Sequence, residues 1–447
     1  MTQDSRIPSS ESLKKIFYHA HNQASIPQVM RKNVILTEKA LEITGNSFPL
    51  DSFEKIYVAG AGIASFYMIR HILALLRDRV SQGVVLVPPG YGGQLDRIKV
   101  CQVTSPMIDE NSYRAMRDLL FITGRAGEKD LVILTLSKGA SEALETLHQG
   151  ISFNDYNTLV KRLAASGADL SEINAIRTHL SMVKGGQLIN TIHPATLIVL
   201  ILSDEPGGDI FRTYQAPTYF DPSTYKFCRQ VLIRHKLPLK TPSSILNHFN
   251  QGMGGKVPET LKPGDEKLRK VFNFVIHDSA SFAADALTGA EGLGFTSSIL
   301  STRLEGDAVS LGQFFGAIIK DILEFGIPLE SPCVFISAGR LTDSDDNRLE
   351  NCCRCALSVA KSIDGRARAS FMTATSFQYE KKGFVGAVVD GGTIERLRQR
   401  GIHAGEVISS GRSSEAMAEM GLVFPASFCP NDCGDLFAIM VEDGRQV

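Results

Sequence analysis

The sequence predicts an α/β protein built of two Rossmann-like α/β domains. Three observations carry this reading. Short apolar runs of strand length alternate with helix-period segments along most of the chain, the pattern of parallel sheets covered by helices. The 447 residues are 43% apolar, enough for more than one buried core. A Pro-, Gly- and polar-rich stretch, TPSSILNHFNQGMGGKVPETLKPGD at 241–265, reads as a crossing between halves. The expected domains are therefore 1–250 and 251–447, with a hinge around Gly252 to Gly255.

The elements follow in order. Residues 11–44 read as two helices. KIYVAGAG is a strand running into a Gly turn, Ile63 to about Arg79 a helix, GVVLVPPG a strand, 111–123 a helix and LVILTL a strand. Asp169 to Gly186 reads as one amphipathic helix. On it Ile173, Ile176, Leu180 and Val183 form an apolar face. Asn174, Arg177, Ser181 and Lys184 fall within about 80° of one another on the adjacent face. LIVLIL (197–202) is the next strand, ending in acids. Beyond the crossing, FNFVIHD, FTSSILST, CVFISAGR and ASFMTATS alternate with helices and are assigned to the second domain.

Composition narrows the function classes. With 47 basic and 48 acidic residues, the net charge of −1 gives no general attraction to nucleic acid or an anionic membrane. A small-molecule target is expected, and a homodimer is the oligomer considered. The N-terminus lacks a basic-then-apolar leader and the apolar runs are strand-length, so the expectation is a soluble cytoplasmic protein. Eight cysteines show no CxxC and no secreted framework; buried reduced thiols are expected. No HExxH, GxSxG or GxxxxGK[ST] motif occurs.

Four candidate features carry chemistry. Gly60 and Gly62 flank a turn from strand to helix whose amides suit an anion, although a tight turn explains them equally. Ser65 replaces the third glycine of a dinucleotide fingerprint and Pro88–Pro89 the acid, which argues against nicotinamide binding. Ser137, Lys138, Gly139 and Ser141 form a second strand-to-helix loop with a cation at its helix end. The Asn174, Arg177, Ser181 and Lys184 stripe has the donors to clamp a carboxylate or phosphate, against the plain reading of a solvated helix face. Asp204 and Asp209, around Pro206–Gly208, suit Mg²⁺ or a capped acidic turn.

The blocks INAIRTHLSMVKGG (173–186), LSDEPGGD (202–209), APTYFDPST (216–224), ETLKPGD (259–265) and VGAVVDGGT (385–393), in this order, resemble the type 2 glycerate 2-kinases. That family joins an N-terminal DUF4147 domain to a C-terminal MOFRL domain, and some members are labelled hydroxypyruvate reductase. The resemblance implies two α/β domains with a ligand cleft between them. It also implies transfer of the ATP γ-phosphate to the 2-hydroxyl of glycerate, with a divalent cation. On this basis the nucleotide is assigned to Gly60, Gly62, Ser137, Gly139 and Ser141, the acid to Asn174, Ser181 and Asp435, and Mg²⁺ to Asp204 and Asp209. The catalytic cations are Lys138, Arg177, Lys184 and Arg348.

The chain also departs from the family pattern. The GAGK motif reads Gly60, Ala61, Gly62, Ile63; the LSGGGS loop reads LSKGAS; SGGET reads Ser337 to Leu341; TDG reads Thr373, Ala374, Thr375. GGRNQE becomes SDDNRLE with Arg348, and GTNVNDL becomes PNDCGDL with Asp435. These substitutions fall in substrate-facing motifs of the family. Two readings follow: a divergent phosphotransferase whose cations have moved to Lys138 and Arg340, or a non-catalytic paralogue acting as sensor or partner subunit.

Overall fold

A computed structural model describes residues 8–103, 109–203, 205, 216–343, 347–377 and 383–443. Asp204 and Asp209 lie outside these residues. The described residues form two compact units, one of 30–203 with 216–276 and one of 8–29 with 277–443.

The helices Ser9–Gln23, which belongs to the second unit, and Ile26–Asn33 precede an antiparallel meander of the first, β1 (Val34–Leu36), β2 (Ala40–Ile43) and β3 (Asn46–Pro49). The helices expected over 11–44 thus stop at Asn33. Thr44 and Gly45, both with positive φ (46° and 84°), make the two-residue turn that sets β2 against β3.

The main sheet contains β4 (Ile56–Ala61), β5 (Val80–Val87), β6 (Ile98–Gln102), β7 (Leu131–Leu136), β8 (Thr196–Leu202) and β9 (Val271–His277) in the order β6-β5-β4-β7-β8-β9. The pairs from β6 through β8 are parallel. Strands β4, β7 and β8 are apolar and buried almost throughout, as a sheet covered on both faces requires. The chain runs outward from β4 through β5 to β6, then restarts on the other side at β7. The carboxyl ends of β4 and β7 therefore form a topological switch point, where open α/β sheets place ligands.

Two expectations about the crossing are corrected. FNFVIHD is β9 of the first sheet, with Val271 and Val275 packed on its core, so the change of unit falls at 276–277 rather than 250. The stretch 241–265 is no loose hinge: it contains the helix Ser243–Met253, and a Cβ on Gly252 would sit 2.3 Å from the Tyr225 ring. Close packing of that helix requires glycine there.

In the second unit, β10 (Thr296–Gly306), β11 (Cys333–Leu341), β12 (Ala369–Thr375), β13 (Phe384–Asp390), β14 (Val423–Pro425) and β15 (Asp435–Val441) run in the order β10-β11-β15-β12-β13-β14. Among the described residues of this sheet only β10 and β11 are paired in parallel; β15 lies antiparallel between β11 and β12. The start of β15 thereby meets the ends of β11 and β12, with Asp435 opposite both Gly339 and Thr375. Helix Ser9–Gln23 covers one face through Leu13, Ile16 and Phe17. Helix Arg348–Ser362 buries Cys352, Cys353 and Cys355 against the other, and burial pushes all three thiols up.

Candidate functional site

The two loops at the switch point pack on each other. The Gly62 amide donates to Leu86 O (2.9 Å), Ile63 N to Lys138 O (2.8 Å), Ala64 N to Ser137 Oγ (3.0 Å) and Ser65 N to Gly62 O (3.2 Å). A Cβ on Gly62, whose φ is +105°, would lie 2.3 Å from Ser137 O. The anion role expected of Gly60 and Gly62 gives way here: the amides of residues 62–65 already serve protein oxygens, Gly62 allows the close loop contact, and Gly60 lies within β4, where a Cβ would sit 2.3 Å from Thr135 Oγ1. Ser65 Oγ bonds Ala61 O and Thr135 O, welding the same turn.

Ser137 is buried, and Gly139 (φ 88°) opens a helix of only four residues, Ala140–Ala143. One turn offers little dipole, so any anion here depends on side chains. Half-buried Lys138 is a direct backbone neighbour of Ile63, which is itself 4% exposed.

The polar stripe is only half helical. A capping box of Asp169 and Glu172 starts the helix Leu170–Leu180, which stops four residues short of Lys184. Ser181 takes extended backbone, and its Oγ accepts from Val183 N (3.2 Å) and Lys184 N (3.3 Å), bonds that compete with further helix. Gly185 and Gly186 then turn with positive φ.

Folding nevertheless gathers Arg177 and Lys184 into one chain of contacts. Lys184 Nζ donates to Glu145 Oε2 at 2.6 Å, both side chains wholly buried. The Tyr156 hydroxyl donates to the same oxygen (3.2 Å) and accepts from Arg177 Nε (3.0 Å), while Arg177 Nη2 reaches Ser141 Oγ (3.3 Å). Thr146 N donates to Glu145 Oε1 (3.1 Å). Burial draws the Lys184 pKa down to about 8 against the pull of Glu145, and burial with the Glu145 charge pushes the Tyr156 hydroxyl well up. Asn174, one turn before Arg177, has a buried Oδ1 with no hydrogen-bond partner among the described residues.

On the same helix as Arg177, His179 Nε2 meets Glu259 Oε2 at 3.0 Å, and Glu259 Oε1 accepts from Tyr225 N (2.9 Å). Burial raises the Glu259 carboxyl, but these two bonds together with the charges of His179 and Lys262 outweigh it and hold its pKa at about 2. Asp221 Oδ2 accepts from Thr260 Oγ1 (2.9 Å), and a Cβ on Gly185 would touch both residues. Three of the sequence blocks singled out above are thus one packed polar unit.

The remaining candidates lie in the second unit. Arg348 Nη1 donates to Asp432 Oδ1 (2.8 Å) and Thr375 Oγ1 (3.2 Å). Asp435 turns inward: Oδ2 accepts from Leu341 N (2.9 Å), and Oδ1 has no partner among the described residues. Burial raises its pKa while Arg348 opposes. Among the described residues no group of three or more His, Cys, Asp or Glu side chains is placed to hold a metal, and no helix is long and apolar enough to cross a membrane.

Sequence reasoning missed Glu145, Tyr156 and Asp432. Glu145 had one available signal: a cation at the edge of an apolar stripe needs a buried counter-charge.

Residues 12–250 match a family described as a domain of unknown function, DUF4147. A glycerate 2-kinase from Pyrococcus horikoshii is 34% identical over 397 residues, 88% of this chain and 87% of that protein. The chain belongs to this glycerate 2-kinase family. A family relative from Agrobacterium vitis, 27% identical over 94% of this chain and 95% of its own length, carries the name hydroxypyruvate reductase. The crystal structure of a Pyrococcus horikoshii protein superposes with a TM-score of 0.84 at 31% identity, covering 99% of this chain and 100% of that one. The α/β fold expected from the family is therefore the fold observed.

Proposed function

We propose that this member of the glycerate 2-kinase family is a divergent phosphotransferase. It moves the ATP γ-phosphate to the 2-hydroxyl of glycerate or a related small hydroxy acid, with altered or weak activity. The observation that carries this reading is the Arg177–Lys184 cluster beside the carboxyl end of β7. Its two cations share one wholly buried carboxylate, Glu145, with half-buried Glu142 acting at longer range. Arg177 uses Nε and Nη2 on Tyr156 and Ser141, and Nη1 makes no hydrogen bond among the described residues. That donor edge suits a carboxylate or phosphate, and the Asn174 Oδ1 acceptor suits an adjacent hydroxyl.

Phosphoryl transfer needs positioning and positive charge more than covalent help. Lys138 supplies a cation beside Ile63, where the family resemblance expects a lysine; the two residues share a backbone hydrogen bond. Magnesium takes carboxylates together with phosphate oxygens, and Asp204 and Asp209 follow β8, which ends beside β7 at the same edge of the sheet. When bound, the ion neutralises phosphate charge.

Buried Ile63 also supports a second reading, a non-catalytic paralogue that retains a ligand, since an apolar side chain there supplies no charge to a transferring phosphate.

Calorimetry with Mg-ATP and D-glycerate, paired with ADP release on the same sample, separates the readings. Binding with turnover supports the kinase, and Lys138→Ala is then expected to lower turnover roughly 10²- to 10³-fold. Binding without turnover supports the paralogue. Binding of neither ligand overturns the kinase and the ligand-sensing form of the paralogue and leaves a partner subunit.

A further inference from the structure

We propose that Tyr156 and Glu145 are positioning residues of the anion site: Glu145 pins the Lys184 ammonium and, through the Tyr156 hydroxyl, fixes the direction of the Arg177 guanidinium. The inference rests on the reading that Arg177 and Lys184 receive an anion. Hydrogen-bond direction carries it. A phenol has one proton, which goes to the carboxylate Glu145 Oε2 at 3.2 Å. Its oxygen is left to accept from Arg177 Nε at 3.0 Å. Arg177 therefore meets Tyr156 with Nε and Ser141 with Nη2, and the planar fork has one orientation. Tyr156 is 3% exposed on helix Phe153–Ala165, so its ring is locked by packing rather than by the ligand. Glu145 takes three donors, from Lys184, Tyr156 and the Thr146 amide, and cannot turn without breaking all of them.

Three segments meet in this arrangement: the turn after β7, helix Phe153–Ala165, and helix Leu170–Leu180 with the loop that follows. Preorganisation of this kind lowers the ordering cost of binding and shows up in affinity for the anion.

The test uses the full chain, with D-glycerate and Mg-ATP titrated calorimetrically into wild type, Tyr156→Phe and Glu145→Gln. Tyr156→Phe keeps the ring and removes both hydroxyl bonds, the one given to Glu145 and the one accepted from Arg177. It is expected to weaken D-glycerate binding about tenfold or more while Mg-ATP binding holds. In turnover the loss appears in KM rather than kcat.

Glu145→Gln gives a second readout. Glu145, Arg177 and Glu142 are the charged groups acting on Lys184, and the ammonium is cationic below about pH 8. Removing Glu145 makes the ammonium easier to neutralise, so the pH above which anion affinity falls is expected to move down. A folded Tyr156→Phe protein with wild-type D-glycerate affinity overturns the proposal. So does Glu145→Gln with an unshifted pH profile.

If wild type binds no D-glycerate, the proposed acid is wrong, and inorganic phosphate titrated into the same three proteins decides the positioning role. Binding of neither anion by wild type overturns both.

Discussion

The two units each gather cations around buried carboxylates, but they build these clusters differently. In the first, Ser141, Glu145, Tyr156, Arg177 and Lys184 come from consecutive segments, and the buried carboxylate is fully engaged by three donors. In the second, Arg348, Asp432, Thr375 and Asp435 come from a helix start, a loop and the ends of strands far apart in sequence. There Asp435 offers one oxygen to a single amide, and its other oxygen is unpartnered among the described residues. The difference teaches that buried charge can be held in two ways. Glu145 is paired with an ammonium at 2.6 Å, whereas Asp435, with no such partner among the described residues, is pushed by burial toward its protonated form.

That contrast can be broken by substitution. The largest effect is expected for Lys184→Met, which strands Glu145 as an unpaired buried charge. Destabilisation of about 3–5 kcal/mol is expected in denaturant unfolding. A near-neutral result would show that Glu145 is not held as an anion.

A smaller loss, about 1.5–3 kcal/mol, is expected for Arg348→Ala, because Asp432 loses a charge-assisted bond while the sheet around it remains. A loss equal to that of Lys184→Met would erase the distinction between the clusters.

The smallest effect belongs to Asp435→Asn, which keeps an acceptor for the Leu341 amide. Because burial raises the folded pKa of Asp435, its contribution to stability is present below its unfolded value and lost as pH rises through the folded one. The variant is therefore expected to match wild type in acid and exceed it at neutral pH. Unfolding midpoints across that range check this, and a difference independent of pH would count against a protonated Asp435.

Much of the architecture was legible from local pattern. The runs IYVAGA, LVILTL and TLIVLIL are strands because unbroken apolar stretches of this length fit a sheet covered on both faces. The meander at 34–49 was not, since three- and four-residue strands carry too little periodicity to outweigh a helical reading. FNFVIHD was correctly read as a strand and given to the wrong sheet. Strand propensity says nothing about which edge a strand joins.

The candidate site divides in the same way. Arg177 and Lys184 were singled out together by helical spacing, and they do share one network, yet Lys184 arrives there on a loop after Ser181 ends the helix. By itself the sequence determined the α/β class, the family and the residue types available for holding an anion, because these follow from periodicity and from blocks of contiguous residues. Only tertiary structure decided that the amides of Gly62, Ile63 and Ala64 serve Leu86, Lys138 and Ser137. It alone decided that Glu145 and Tyr156 stand between the two cations, and that β15 carries Asp435 to the ends of β11 and β12. Those outcomes depend on which distant groups become neighbours. A buried polar atom takes the partner that packing delivers, and no local pattern encodes that choice.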